Sequence, residues 1–357
     1  MDEALERYPW LRVCEKVAKE QGFFHWQLDF APVFGRGGFD LQVGNPPWVR
    51  PDSDVDALLA EGDPWWQLVD KPSESEKREH RTTTLLLPGI RDLTAAADSE
   101  TVAARRFVSD PTNYPELDGL RPDLYRCFMC ATWSHGSNRG TIGLVHPETH
   151  LTDEKAGHLR ELTYPRLRRH WQFTNELMLF GEISHLVVYG IHVYGRPLPR
   201  PYFKTACALY HPDTVRDSLR HDGSGEAPGF KFEGHWDQRP HAQRIQTITD
   251  ETLTTWRDIL DPDLQTPRQT RMLYTVNTDV AETLRQMSKA ARLASLRLRF
   301  SQGWNETTDF RKGYFVQQWG RPDSWDDVIL QGPHLHVATP FFKSPNCTMK
   351  HNQDWSE

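Results

Sequence analysis

Residues 38–50 read Gly-Phe-Asp-Leu-Gln-Val-Gly-Asn-Pro-Pro-Trp-Val-Arg. Phe39 to Val43 has the composition of a buried strand, and Gly44 followed by Asn45-Pro46-Pro47 closes it with a turn. The loop places two neutral acceptors side by side, the Asn45 side-chain carbonyl and the Pro46 backbone carbonyl. Proline removes competing N–H groups and stiffens the chain there. Two such acceptors suit an aromatic amine. Accepting both amine hydrogens moves the nitrogen towards tetrahedral geometry and frees a lone pair otherwise delocalised into the ring. Trp48 adds a flat face on which a base could stack. The plain alternative is a rigid turn closing a strand.

Working outward, the segment 3–20 predicts a short helix with Leu5, Trp10 or Leu11, Val13 and Val17 on its apolar face. Residues 51–115 are polar and predict an irregular, partly helical insertion. PDLYRCFMCATWS (122–134) predicts a helix, GTIGLVHPETH (140–150) a strand and loop, and DEKAGHLRELTYPRLRRHW (153–171) a helix. SHLVVYGIHVYG (184–195) predicts a strand or tight hairpin, YFKTACALYHP (202–212) a strand, and HPDTVRDSLRH (211–221) a helix. This alternation is that of an open α/β sheet. HDGSGEAPG (221–229) is the best linker candidate, with strand-like runs at YFVQQW and DVILQG beyond it.

The chain has 357 residues, a net charge of −7, 38% hydrophobic and 25% charged residues, the profile of a soluble globular protein. No apolar run is long enough to span a bilayer and the N-terminus has no secretory pattern, so no membrane partner and a cytoplasmic location are expected. Five scattered cysteines argue against a disulfide framework. Cys127 and Cys130 form a CxxC without a second ligand pair, and His334 with His336 lacks a third ligand. No metal site is expected from these pairs, and core packing is the reading for the cysteines. The acidic total excludes indiscriminate nucleic-acid coating but leaves room for a local DNA groove.

The stretch from Phe24 through Arg50 resembles the catalytic-loop region of γ-class N6-adenine DNA methyltransferases. The closest in style are the large type IIG restriction-modification enzymes and the methylases of BREX and DISARM phage defence. PDLYRCF, GTIGLVHPETHL and LMLFGEISHLVVYGIHVYG resemble the family's following motifs, so the resemblance covers roughly residues 22–200. It implies a partial Rossmann-like class I methyltransferase sheet over residues 1–220, carrying the 51–115 insertion. A mixed α+β target-recognition region over 221–357 would follow. It implies S-adenosylmethionine as methyl donor and double-stranded DNA as partner. Asn45, Pro46, Pro47 and Trp48 would be the catalytic loop, with Trp48 and Phe180 stacking on a flipped adenine. Trp48 stands where the family usually has Tyr or Phe and keeps the stacking area. For Phe180, core packing is the plain alternative.

The family's donor site uses a Gly-rich turn after the first strand. No such segment is found in this sequence. The γ order would place it upstream of residue 1, and a β order beyond residue 357. A second polypeptide supplying the donor-binding half is therefore an expected partner.

Residues 280–299 predict a helix with Arg285, Lys289, Arg292 and Arg299 within about 80° of one another, a stripe able to follow a phosphate backbone. Arg166, Arg168 and Arg169 form a second basic cluster. A solvated face is the alternative for both. Two other functions stay open: a non-catalytic or split DNA-recognition subunit, and a methyltransferase acting on a protein glutamine or an RNA base.

Overall fold

The computed structural model describes residues 2–121, 123–292, 295 and 306–314. The chain divides into two compact units, Met1–Ala290 and Ala291–Glu357.

The first unit opens with α1 (Asp2–Arg7) and α2 (Trp10–Gln21) rather than one helix. Pro9 causes the break, because it has no N–H to give and disfavours helical backbone at Tyr8. Gly22 ends α2 in the left-handed region at φ 63°, its N–H turned back to Ala18. Two single turns, α3 (Trp26–Asp29) and α4 (Ala31–Phe34), lead into β1 (Phe39–Gly44). Gly38 has φ +112°, and a Cβ there would lie 2.5 Å from the His135 carbonyl oxygen, so only glycine passes.

Between β1 and the next strand lies the 51–115 insertion. It is more regular than its polarity suggests: α5 (Val55–Ala60), α6 (Trp65–Leu68), α7 (Glu74–Thr84) and α8 (Ile90–Ser109). Ser73 and Glu76 form a capping box at the start of α7. The Ala-rich sequence of α8 favours helix at many solvent-facing positions. Leu59, Trp66 and Ile90 make a small core. The Trp66 indole donates to Thr84 Oγ1 at 3.0 Å. With so few core residues, Leu59→Ala should destabilise this lobe by about 2–5 kcal/mol. Hydrogen exchange should show the loss confined to α5–α8.

The remaining elements of the unit are α9 (Leu124–His135), β2 (Gly136–Pro147), α10 (Thr149–Thr152), α11 (Gly157–Thr163), β3 (Leu167–Thr174), β4 (Val188–Tyr194), β5 (Phe203–Leu209), α12 (Pro212–Ser218), β6 (Lys231–Phe232), β7 (His235–Trp236), β8 (Gln246–Ile248), α13 (Asp250–Leu260) and α14 (Thr278–Met287). The second unit contains α15 (Glu306–Arg311). The fold is a mixed α/β sheet in the order β1-β2-β4-β3-β5-β8, with a separate β6-β7 ribbon. β1 is parallel to β2 and β3 to β5, whereas β4 runs antiparallel to both its neighbours.

One face of the sheet packs Ile142, Leu144, Leu167 and Tyr194 against Tyr125 and Met129 of α9 and Leu253 and Trp256 of α13. The other gathers Trp171, Phe173, Tyr189 and Leu209 with Val215 of α12. Cys127 and Cys130 sit in a third cluster with Val108, Leu117 and Leu159. Burial raises both thiol pKa values, which keeps them protonated and suits them to packing.

Three expectations need correction. The helix expected over 153–171 ends at Thr163, and Leu167-Arg168-Arg169-His170-Trp171 belongs to β3. Pro165 ends the helical run, and burial on both sheet faces hides the strand alternation that would have revealed β3. The helix expected over 280–299 is α14, capped by Asn277 and finished at Met287. The 221–229 stretch is a loop inside the first unit. Asn277 Nδ2 donates to the Pro228 carbonyl and the Gly229 N–H to Asp237 Oδ2, while β8 adds a strand to the sheet beyond it. Arg299, His334, His336 and the runs at YFVQQW (apart from Tyr314) and DVILQG lie outside the described residues.

Candidate base-binding site

The Asn45–Trp48 loop leaves the C-terminal end of β1, where Gly44 pairs with Leu144 of β2, and is fastened again beyond its acceptors. The Trp48 indole N–H donates to the Val145 carbonyl on β2 at 3.2 Å. Farther on, the Leu124 N–H donates to the Val49 carbonyl at 3.0 Å, and Arg50 Nε donates to Asp123 Oδ1 at 2.5 Å. Pro46 is buried and fixes the backbone between these anchors. Asn45 is exposed, and its carboxamide makes no hydrogen bond with the described residues. The loop therefore offers its acceptors to something outside the chain, from a backbone that is already held.

Phe180 comes to the same place by a separate route. Buried Asn175 takes both of its backbone groups: Asn175 Nδ2 donates to the Phe180 carbonyl at 2.9 Å, and the Phe180 N–H donates to Asn175 Oδ1 at 3.0 Å. The Phe180 ring centroid lies 5.6 Å from that of Trp48, tilted by 59°. Both rings also meet Tyr189 on β4, Trp48 at 5.7 Å and Phe180 edge-on at 5.0 Å. Trp48 and Phe180 touch each other in this arrangement. A base between them needs roughly twice the ~3.4 Å stacking rise, so one ring must swing away to admit it. Tyr189 is the member that sequence reasoning missed. The alternation of Tyr189, Ile191 and Val193 on one face of β4 is the signal that could have found it.

The arginines predicted to touch DNA are dispersed. Arg166 Nη1 donates to the Leu162 carbonyl at 2.7 Å, and its guanidinium lies 4.9 Å from the Trp133 ring centroid. Arg168 caps the Pro165, Arg166 and Leu167 carbonyls. Burial lowers the pKa of both, and both remain cations. Arg169 is exposed beside Trp171. On α14, Arg285 is paired with Glu282. Lys289 and Arg292 follow the end of that helix, so among the described residues the helical face of α14 carries only Arg285 of the predicted stripe.

A donor site fits these residues poorly. The Gly35–Gly38 turn leads into β1 instead of following a strand, and Gly38 is pressed against His135. The space above Gly190 on β4 is filled by Glu148 and His192. Among the described residues no Gly-rich turn joins a strand's C-terminal end to a helix, which is the arrangement that cradles a nucleotide-like donor.

The Eco57I restriction-modification methylase family model matches residues 5–76, a span that includes the Asn45–Trp48 loop. No curated protein matches the chain. Three solved structures illustrate its structural similarities. The type IIG restriction endonuclease BpuSI is 13% identical with a TM-score of 0.29, covering 44% of this chain and 19% of its own. The type I restriction-modification methyltransferase subunit from Streptococcus thermophilus is 12% identical with a TM-score of 0.28, covering 45% and 34%. The type ISP enzyme LlaBIII bound to DNA is 9% identical with a TM-score of 0.25, covering 48% and 10%. The chain spans from 10% to 44% of the length of five solved chains it matches. Among the described residues no helix is long and apolar enough to cross a membrane.

Proposed function

We propose, with the restriction-modification methylase family of residues 5–76 as premise, that this chain is the base-binding half of a DNA methyltransferase. Its target would be the exocyclic amine of adenine in double-stranded DNA. The observation that carries the reading is the held loop with an uncommitted Asn45 carboxamide, set beside three aromatic rings. The Asn45 and Pro46 carbonyls accept the two amine hydrogens, and Trp48, Phe180 or Tyr189 supplies the stacking face for the extruded base. No strongly shifted general base is needed, because the surplus proton leaves after transfer. S-adenosylmethionine, when bound, supplies the electrophilic methyl group.

Its binding site belongs to a partner segment, and the chain carries a surface suited to one. Among the described residues β1 is an edge strand paired only with β2, and parallel strands are normally covered on both faces. Yet Leu41 and Val43, on one face of β1, are 65% and 79% exposed. Trp10, Val13 and Val17 form an exposed apolar stripe on α2, a helix with no buried residue. A polypeptide that adds a parallel strand to β1 and covers these side chains would place its Gly-rich turn near the Asn45 loop.

Calorimetric titration of S-adenosylmethionine into the chain, alone and with the polypeptide encoded immediately upstream, tests this. No heat from the chain alone and micromolar binding by the pair is the expected result. Binding by the chain alone would assign it a complete donor site. Leu41→Lys with Val43→Lys should abolish assembly with the partner and leave the chain folded, since neither side chain is in its core.

A further inference from the structure

On the sheet face opposite Trp48, at the same level of β2 and β4, lies a group of buried polar side chains that the base-binding site does not use. Glu148 follows β2, His170 is on β3 and His192 on β4, and all are buried. One donor atom from each lies within 4.8 Å of the other two. His170 Nε2 is 2.7 Å and His192 Nε2 is 3.4 Å from Glu148 Oε1. The backbone is shaped for this meeting: a Cβ at Gly190 would stand 2.0 Å from Glu148 Oε1 and 2.4 Å from His192 Cε1.

Hydrogen bonding leaves the group incomplete. His170 Nδ1 contacts Thr205 Oγ1 at 2.7 Å. Without a cation His170 Nε2–H donates to Glu148 Oε1 and the Thr205 hydroxyl to Nδ1; with the proton on Nδ1, donated to Thr205, the Nε2 lone pair faces the carboxylate and is free to bind a cation. Neither ring nitrogen of His192 makes a well-formed hydrogen bond, its only close polar neighbour among the described side chains being Glu148 Oε1 at 3.4 Å, and the buried hydroxyl of Tyr274 makes none either. Unpartnered buried polar atoms cost about 1–3 kcal/mol each and are rare in native proteins. His192 also stacks on His146 at 3.9 Å and 5°, an arrangement that two imidazolium rings would resist.

We propose that Glu148, His170 and His192 bind a structural divalent transition-metal ion, with zinc as the best match to two neutral imidazoles and one carboxylate. Zinc ligands about 2.0–2.1 Å from the metal stand roughly 3.3 Å apart in tetrahedral geometry; the 3.4 Å His192–Glu148 contact matches this, and the 2.7 Å His170–Glu148 contact would have to open by roughly 0.6 Å to admit the ion. Thr205 would fix the His170 tautomer, the usual task of a group behind a metal-bound imidazole. The ion would tie the end of β2 to β3 and β4 directly beneath Tyr189, which pairs with Pro147 across the sheet. Hard cations such as magnesium prefer an all-oxygen shell and would bind weakly here.

The test uses the full chain purified without a metal-affinity tag. Elemental analysis should give about one zinc per chain, retained by the exposed-site control His185→Gln and lost in Glu148→Gln and His192→Gln. Wild-type chain unfolded with chelator and refolded with zinc should melt several degrees higher than chain refolded without it. Refolding with cobalt(II) should give visible d–d absorption. Wild-type protein that carries no metal and refolds identically with or without zinc would overturn the proposal, leaving Glu148 and His170 as a proton-sharing pair. Metal retained in both ligand variants would overturn it as well. The wild-type refolding comparison remains decisive if the variants do not fold.

Discussion

Replacing Asn45 by alanine should reduce methyl transfer by the assembled enzyme about 10²–10³-fold, the range seen when one preorganised polar contact to a transition state is removed. As the amine nitrogen takes up the methyl group it gains positive charge, and its hydrogens bind a carbonyl acceptor more strongly than in the ground state. A contact that strengthens in this way lowers kcat rather than substrate affinity. The Asn45 carboxamide has no competing hydrogen bond among the described residues, and the chain is held before it by the pairing of Gly44 with Leu144 and after it at Val145 and Leu124. The substitution therefore removes the acceptor without disturbing its support. Quantifying N6-methyladenine in a DNA substrate, together with DNA affinity by fluorescence anisotropy, separates the two effects. Affinity should change less than threefold. Full activity in Asn45→Ala would remove the loop from the chemistry and leave this chain as a DNA-recognition subunit.

The largest stability loss is expected from Asp237→Ala. Asp237 is 2% and Arg244 is 0% exposed, and they form a buried cluster with Arg239. The Asp237 carboxylate accepts from the Gly229 and Arg239 N–H groups and from Arg239 Nη2. Arg244 donates through Nε to the Arg239 carbonyl and through Nη2 to the Asp237 carbonyl. Removing the carboxylate strands a buried guanidinium, which costs about 3–5 kcal/mol, a large part of the 5–15 kcal/mol typical of a folded domain. Removing exposed Glu282 from Arg285 should cost far less, because solvent screens that pair. The damage should reach the base site, because Gln238 accepts from Thr214 of α12, whose Val215 packs in the cluster beside Tyr189.

The pH dependence of this variant has a definite sign. Burial pushes the Asp237 carboxyl up, but hydrogen bonds from Arg239 and Gly229 and the charge of Arg244 outweigh it and hold the folded value below the ordinary range. The stabilisation is therefore fully present above the unfolded carboxyl value of about 3.9 and is lost as pH falls through the folded one. Urea midpoints for wild type and Asp237→Ala should lie far apart at pH 7 and converge below about pH 4.

The sequence by itself determined the Asn45–Trp48 loop and the local elements around it. Phe39–Gly44 before Asn45-Pro46-Pro47-Trp48 is a short-range signal, carried by a strand's composition and proline's fixed geometry, and the family match covers that segment. The helix at Leu124–His135 and the strands at Val188–Tyr194 and Phe203–Leu209 were legible for the same reason. Tertiary structure decided what depends on distant partners. β3 was hidden because residues buried on both faces show no alternation, and α14 stops at Met287, short of the helix expected to 299. Tyr189 joined Trp48 and Phe180 only through the β2-β4 pairing. Glu148, His170 and His192 share no sequence spacing that marks a ligand set. Three separate elements and the absent side chain of Gly190 bring them together, because burial and close approach are properties of the folded sheet and not of any one segment.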